Sequence, residues 1–416
     1  MSEQQGQSLN ELNPQRAPEF DGGIFTIEYL SGSPDGFEVV TEKSGRRRRE
    51  TPTGRESLPL TAEQRTQLKE AMSGQMKFAH GDIAKLALNK LREAREKGEN
   101  EQTINQLAED YEKKRTIYYE RNFPKVGLEN IRQQGNTLIV DIKPVDFPTY
   151  AELAKPSSTS ELIEFANISS TAILLRTRDG KLIIQHRSPR NKLYGDVPGT
   201  SAAGYFDAKP SEKRGILQPI DTNFVKDNAI KEAKEELGID REDLLDLRIL
   251  GLARDKLQIN DEFMLLGTTS LSFDELKEKA QNAETNIKLS DEEFYEKFVD
   301  IPATPDAIAV LVTQVKCPIP PSLTALFIAA GISMVSEGKG LEEANAWKRQ
   351  IQEAVRKNYQ EINQMVERYY QSHPEELNNI PKGKPVRKSH GYEPAYLPAE
   401  QGLPDLMSEL KRVSLI

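Results

Sequence analysis

The chain has 416 residues, a single cysteine (Cys317) and a formal net charge of −9. The acidic balance argues against a molecule built to grip nucleic acid or an anionic membrane. A lone cysteine excludes an intrachain disulfide and a cysteine-rich zinc site, and the length has room for two or three domains.

Residues 1–22 are polar and are expected to form a disordered tail. They lack the basic start and apolar core of a signal peptide. No apolar run reaches the roughly 18 residues a membrane helix needs, so the expectation is a cytoplasmic protein. Two short strands are predicted at 24–29 and 36–40, around a turn-rich Ser31-Gly32-Ser33-Pro34-Asp35-Gly36. Arg46-Arg47-Arg48-Arg49 reads either as an exposed basic loop or as an import or anion-binding patch. Thr61 to Gln64 forms a capping-box start. From there to about Arg121 the chain reads as helices broken near Gly81 and near Gly98-Glu99-Asn100. The region 23–130 is therefore expected to be mostly helical, a packing or partner surface more than a catalytic one.

The central domain is expected at 131–336. Its predicted elements begin with a strand at 137–142. Two β-branched, apolar runs, 170–177 and 181–186, flank Arg178-Asp179-Gly180 and predict a hairpin. A turn-rich loop follows at 188–204, then an insertion at 205–226, then a helix ending in Glu232, Glu235, Glu236 and Gly238. Strands are predicted at 247–253 and 262–269, and helices at 273–283, 290–300 and 321–331. Residues 337–416 are read as a long amphipathic helix (341–370) followed by an irregular tail. The helix's apolar side carries Leu341, Ala344, Ile351, Val355, Ile362, Val366 and Tyr369, and Trp347 is read as a packing residue.

The acidic helix is the most informative stretch. Residues three and four apart share a helix face, so Glu232, Glu235 and Glu236 project from one arc. Ile230, Ala233 and Leu237 fall on the opposite, apolar arc. Gly238 sits where a helix stops in the left-handed conformation, and Ile239 can fold back on the last turn. Taken alone, such a face is either a solvated acidic surface or an oxygen-donor site for a hard cation that also holds phosphates.

In context, Lys231-Glu232-Ala233-Lys234-Glu235-Glu236-Leu237-Gly238-Ile239 resembles the second half of the Nudix hydrolase box, Arg-Glu-apolar-x-Glu-Glu-x-Gly-apolar. The upstream Gln185-His186-Arg187-Ser188, Val197-Pro198-Gly199 and Ala203-Gly204 match the family loosely, and the resemblance covers a bit under half the chain. There are two departures. The box arginine is Lys231, which replaces a planar fork by a point charge. If Gly204 is the box glycine, the loop behind it holds an insertion of about 13 residues. The first box glutamate is then not placed, and Glu212 is only a candidate.

The resemblance implies an α+β fold, a Nudix-like α/β/α sandwich with a mixed sheet, here with helical N-terminal and C-terminal additions. It implies hydrolysis of a diphosphate linkage in a nucleoside diphosphate joined to another group: a nucleotide sugar, an ADP-ribose-like compound or a dinucleotide. The implied cofactor is Mg²⁺ or Mn²⁺, held by Glu232, Glu235, Glu236 and the Ala203 carbonyl, with Glu262, Glu292 or Glu293 completing the set. Glu235 and Glu232 would be catalytic. Arg187, Gly204 and Tyr205 would contact substrate, with Arg190, Tyr194 and Phe206 as further candidates. The expected partner is the small diphosphate substrate, and the flanking helices offer a surface to a protein partner. The alternative, suggested by Lys231 and the interrupted box, is a catalytically weakened nucleotide- or protein-binding module on the same fold.

Overall fold

A computed structural model gives the structure of the chain and describes residues 25–31, 36–44, 90–110, 125–145, 168–186, 198–208, 217–255, 260–281, 283, 298–316, 319, 321–372 and 406–415. In chain order the strands are β1 (Phe25–Leu30), β2 (Glu38–Ser44), β3 (Lys125–Gln134), β4 (Thr137–Val145), β5 (Ile168–Arg176), β6 (Lys181–His186), β7 (Pro198–Gly199), β8 (Ala202–Tyr205), β9 (Leu244–Asp255), β10 (Asn260–Thr269) and β11 (Phe298–Pro302). The helices are α1 (Thr222–Leu237), α2 (Phe273–Gln281), α3 (Pro305–Gln314), α4 (Pro321–Lys339), α5 (Leu341–Ser372) and α6 (Leu406–Arg412). Residues 90–96 and 101–110 are also helical, broken at Gly98-Glu99-Asn100 as expected.

The larger sheet runs β1-β9-β10-β5-β6-β11, with β7 on β6 and β8 on β5. β5 and β10 run parallel, and the remaining pairs are antiparallel. A smaller sheet, β2-β4-β3, is mixed as well. The chain is an α+β protein. No helix among the described residues is long and apolar enough to cross a membrane.

Central strands buried on both faces lose the polar alternation of half-buried ones, and β5 and β10 are buried along almost their whole length. Alternate residues still sort the two faces. Ala172, Leu174, Met264 and Leu266 pack on one side against Ile308, Leu311, Leu326 and Phe327 of α3 and α4. Ile173, Leu175, Phe263 and Leu265 pack on the other against Val225, Ala229 and Ala233 of α1, with Leu138, Val140 and Ile142 of the small sheet. Helices therefore cover both faces. Trp347 of α5 presses on Gly331 of α4, where an added Cβ would lie 2.3 Å from the indole Cη2. This is the packing role the sequence suggested.

The β5–β6 hairpin closes through the predicted Asp-Gly turn. The Gly180 N–H donates to the Thr177 carbonyl at 3.0 Å, and Asp179 Oδ1 accepts from the Phe273 N–H at 3.1 Å, fixing the start of α2. Beyond the turn β5 changes partner, from β6 at Arg176 to β8 at residues 170–173. The buried Ser201 hydroxyl fills the fork, accepting from the Leu175 N–H at 2.9 Å and donating to the Ile183 carbonyl at 2.6 Å. A buried backbone group left unpaired there would be costly.

The structure departs from the sequence reading at several elements. Residues 125–134 form strand β3, whose first half lies within the region expected to be mostly helical. Its second half alternates too weakly to announce itself. The expected loop at 188–204 contains β7 and β8, which are too short to show a period. The acidic helix begins at Thr222, so its first turns lie in the predicted insertion. They are polar apart from a few residues on the buried side. The end of the helix expected at 290–300 is strand β11, because a short apolar run fits a helical or a strand period equally well. Two helices were not foreseen. α3 has a threonine N-cap and proline in its first turn, a start signal legible in the sequence. α6 falls in the tail expected to be irregular. Its Leu410 is fully buried, and Glu409 Oε2 accepts from the Lys316 N–H at 2.8 Å. The arginine run, the capping box at 61–64, the tail at 1–22 and residues 290–297 lie outside the described residues.

Candidate active site

α1 is positioned at both ends. Asp221 caps it, accepting from the Phe224 N–H at 2.8 Å. Val225, Ala229, Ala233 and Leu237 are buried at four-residue spacing, and Ile230 packs partly buried beside them. Gly238 closes the helix in the left-handed region at φ 68°, its N–H reaching the Ala233 and Lys234 carbonyls. Ile239 turns back into the core, fully buried, as the sequence pattern requires.

The glutamates meet β8 and β6. Glu232 lies over Gly204. A Cβ at Gly204 would fall 2.0 Å from Glu232 Cδ and 2.1 Å from its Oε1, so only glycine leaves room for this carboxylate. The Glu232 side chain is 12% exposed. Lys231 Nζ stands 3.3 Å from Glu232 Oε1 and 3.4 Å from Glu235 Oε1. Glu236 Oε2 accepts from Gln185 Nε2 of β6 at 3.3 Å. The structure thus gathers Gly204, Glu232, Glu235 and Glu236 around one helix turn.

Three residues without a motif signal join them. Asn228, one turn before Glu232, donates from Nδ2 to Thr171 Oγ1 at 2.9 Å and to the Gly204 carbonyl at 3.2 Å. The same-face rule that grouped the glutamates could have found it. Lys125 of β3 pairs with Asp207, just past β8, at 2.5 Å. Nothing in the sequence links two residues so far apart.

Burial holds the Glu232 carboxyl above its ordinary pKa, and the nearby Glu235 charge adds to this, while Lys231 and Lys125 pull the other way. For Lys231, burial is the largest effect and acts downward. The Glu232 and Glu235 charges, with Asp207, outweigh it and raise the ammonium pKa. A carboxyl whose pKa is raised on folding binds its proton more tightly in the folded state. Stability then falls as pH rises from the unfolded pKa through the folded one. Glu232→Gln, which cannot ionise, is therefore expected to gain stability relative to the parent as pH climbs above the ordinary glutamate range. Paired melting curves from pH 4 to 8 check this, and a difference that does not change with pH contradicts it.

The strands place the other candidates. Ala203 is on β8, and the Phe206 N–H bonds to the Ser169 carbonyl at 3.0 Å. By antiparallel alternation the Ala203 carbonyl points away from β5. Tyr205 follows Gly204 in the strand, so its side chain faces the opposite side of the sheet from Glu232. Glu262 is on that far side too. It shares its register with Met264 and Leu266 and accepts from Ser170 Oγ at 3.3 Å. The sheet therefore separates Glu262 and the Tyr205 ring from the glutamate turn. Phe206 is a core residue, edge-on to Phe224 with ring centroids 5.4 Å apart. Arg187, Arg190, Tyr194, Glu212, Glu292 and Glu293 lie outside the described residues.

The donors at the turn are carboxylate and carbonyl oxygens, the ligand type Mg²⁺ and Mn²⁺ take. Their arrangement is less complete. Among the described residues no three His, Cys, Asp or Glu side chains are grouped as a metal ion requires.

No family model matches the chain, and no curated protein matches it either. Among solved structures, that of DR0079 from Deinococcus radiodurans is similar at 15% identity and a TM-score of 0.26, covering 38% of this chain and 80% of that one. Similarity of that degree bears on neither fold nor function.

Proposed function

We propose that the chain is a Nudix-type hydrolase on an α/β/α sandwich, cleaving the diphosphate linkage of a nucleoside diphosphate joined to another group. The observation that carries the proposal is the seating of Glu232 over Gly204. The helix presents Glu232 to a strand in which only glycine leaves it room. A solvated acidic face would need no such clearance.

In this reading burial makes Glu232 a stronger base than an ordinary carboxylate, which suits it to take a proton. Glu235, beside it, is the second catalytic carboxylate. Lys231 offsets negative charge brought by the phosphates, and Lys125 adds to that field from β3. Asn228 fixes the spacing between α1 and β8. Mg²⁺ or Mn²⁺ would be held by Glu232, Glu235, Glu236 and the Ala203 carbonyl, supplying charge neutralisation and a more acidic water. A cytoplasmic location, the small diphosphate as substrate and the flanking helices as a surface for a protein partner complete the reading.

A panel of nucleotide sugars, dinucleoside polyphosphates and dinucleotides, each with Mg²⁺ and with Mn²⁺, tests it. Turnover of at least one compound is expected. Glu235→Gln and Glu236→Gln should each lower it by roughly 10²-fold or more. Full activity in both variants sinks the assignment. The second reading, a binding module without turnover, is favoured by the Lys231 bridge across two of the carboxylates. Tight binding of a panel member with no product would select it.

A further inference from the structure

We infer that Lys231 is a tethered cation that competes with the divalent ion for the glutamate turn. The inference rests on the proposed reading of that turn as a cation site. It concerns binding, and not catalysis.

Two of the carboxylates proposed as ligands share one ammonium. Lys231 Nζ spans Glu232 Oε1 at 3.3 Å and Glu235 Oε1 at 3.4 Å. The third is held by Gln185. Mg²⁺ and Mn²⁺ need their oxygens far closer than an ammonium does, about 2 Å in the case of Mg²⁺. An ion drawing Glu232 Oε1 and Glu235 Oε1 together would meet the Lys231 charge at short range, where like charges repel.

The residue type makes the bridge displaceable. Lysine carries a compact charge on a flexible four-carbon stem, whereas arginine holds a rigid fork. The Lys231 side chain is half exposed, so it can leave its carboxylates for solvent. Until it does, it relieves the repulsion among carboxylates crowded on one turn. Lys231 therefore offsets one of the three carboxylate charges on the turn, and an ion drawing on Glu232 and Glu235 must displace it to bind.

Lys234 supplies the control. It is on the same helix but binds away from the turn, to Asp240 Oδ1 at 2.8 Å. Removing it takes the same charge from the helix and leaves the Lys231 bridge in place.

The test is Mn²⁺ binding to the full chain without substrate, followed by electron paramagnetic resonance and calorimetry. Lys231→Met is expected to bind Mn²⁺ roughly tenfold more tightly than the parent, with Lys231→Gln behaving alike. Lys234→Met should stay within about twofold of the parent. With the metal chelated, the Lys231 variants should melt below the parent, and Mn²⁺ should raise their melting temperature more. Unchanged, weaker or undetectable Mn²⁺ binding in both Lys231 variants overturns the inference, as does equal tightening in Lys234→Met. Failure of the substrate panel would leave this comparison intact, and failure here would leave hydrolysis intact. The two ideas therefore fail separately.

Discussion

Gly204→Ala is expected to abolish diphosphate hydrolysis while leaving the protein folded. The added methyl carbon would sit 2.0 Å from Glu232 Cδ and 2.1 Å from Oε1, a distance no pair of nonbonded atoms sustains. The intruded atoms are the far end of a flexible side chain, so Glu232 can rotate away at modest cost. The strand and helix need not move. Displacing a catalytic group by an ångström or more is enough to cost about 10²-fold in rate. The expected result is a loss of at least that size in kcat/KM, with a melting temperature within a few degrees of the parent. Released from burial, the Glu232 carboxyl should also return toward its ordinary pKa. Retained turnover would show that the seat beneath Glu232 has no catalytic role.

Gly238→Ala should do the reverse, damaging the fold first. Gly238 adopts φ +68°, and a Cβ there would lie 2.6 Å from the Lys279 carbonyl oxygen of α2. That obstacle is backbone and cannot rotate away. Left-handed strain accounts for about 1 kcal/mol, and overpacking against a fixed neighbour adds roughly 1–3 kcal/mol. Gly180→Ala is the matched control. Its φ is +76° with nothing within 4 Å of the added carbon, so it should lose only about 1 kcal/mol. Urea or thermal unfolding of the two variants side by side measures the difference. Equal losses would mean that α2 yields at Lys279 and that the contact is soft.

Much of this arrangement is legible in the sequence, because it depends on local chemistry. The Asp179-Gly180 turn, the glutamate spacing, the Gly238 stop and the apolar stripe of α5 each follow from residues within a few positions of one another. Ala344, Ile351, Val355 and Ile362 are buried as the stripe requires. What the sequence withholds is long-range. It ranked Glu262 beside Glu292 and Glu293 because a carboxylate on a strand shows no face until the strand's neighbours are known. Met264 and Leu266, packed against α3 and α4, decide it. Lys125 and Asp207 meet across 82 positions, and no local pattern brings them together. β7, β8 and α6 are missed for a different reason. Each is too short for a period to emerge, and pairing or docking holds them in place.

The sheet's connectivity has a consequence for the order in which the chain can assemble. β1 is the first strand among the described residues, yet it finds its partner in β9, Phe25 against Asp255. The β5–β6 hairpin needs only its own turn, whereas β5 must wait for β10 to complete its other edge. On the ribosome, β1 emerges long before β9 exists. It spends that interval as an unpaired edge, open to pairing with other chains. Closure of such distant contacts is slow. β1 is therefore exposed until a strand from the middle of the sequence has been made.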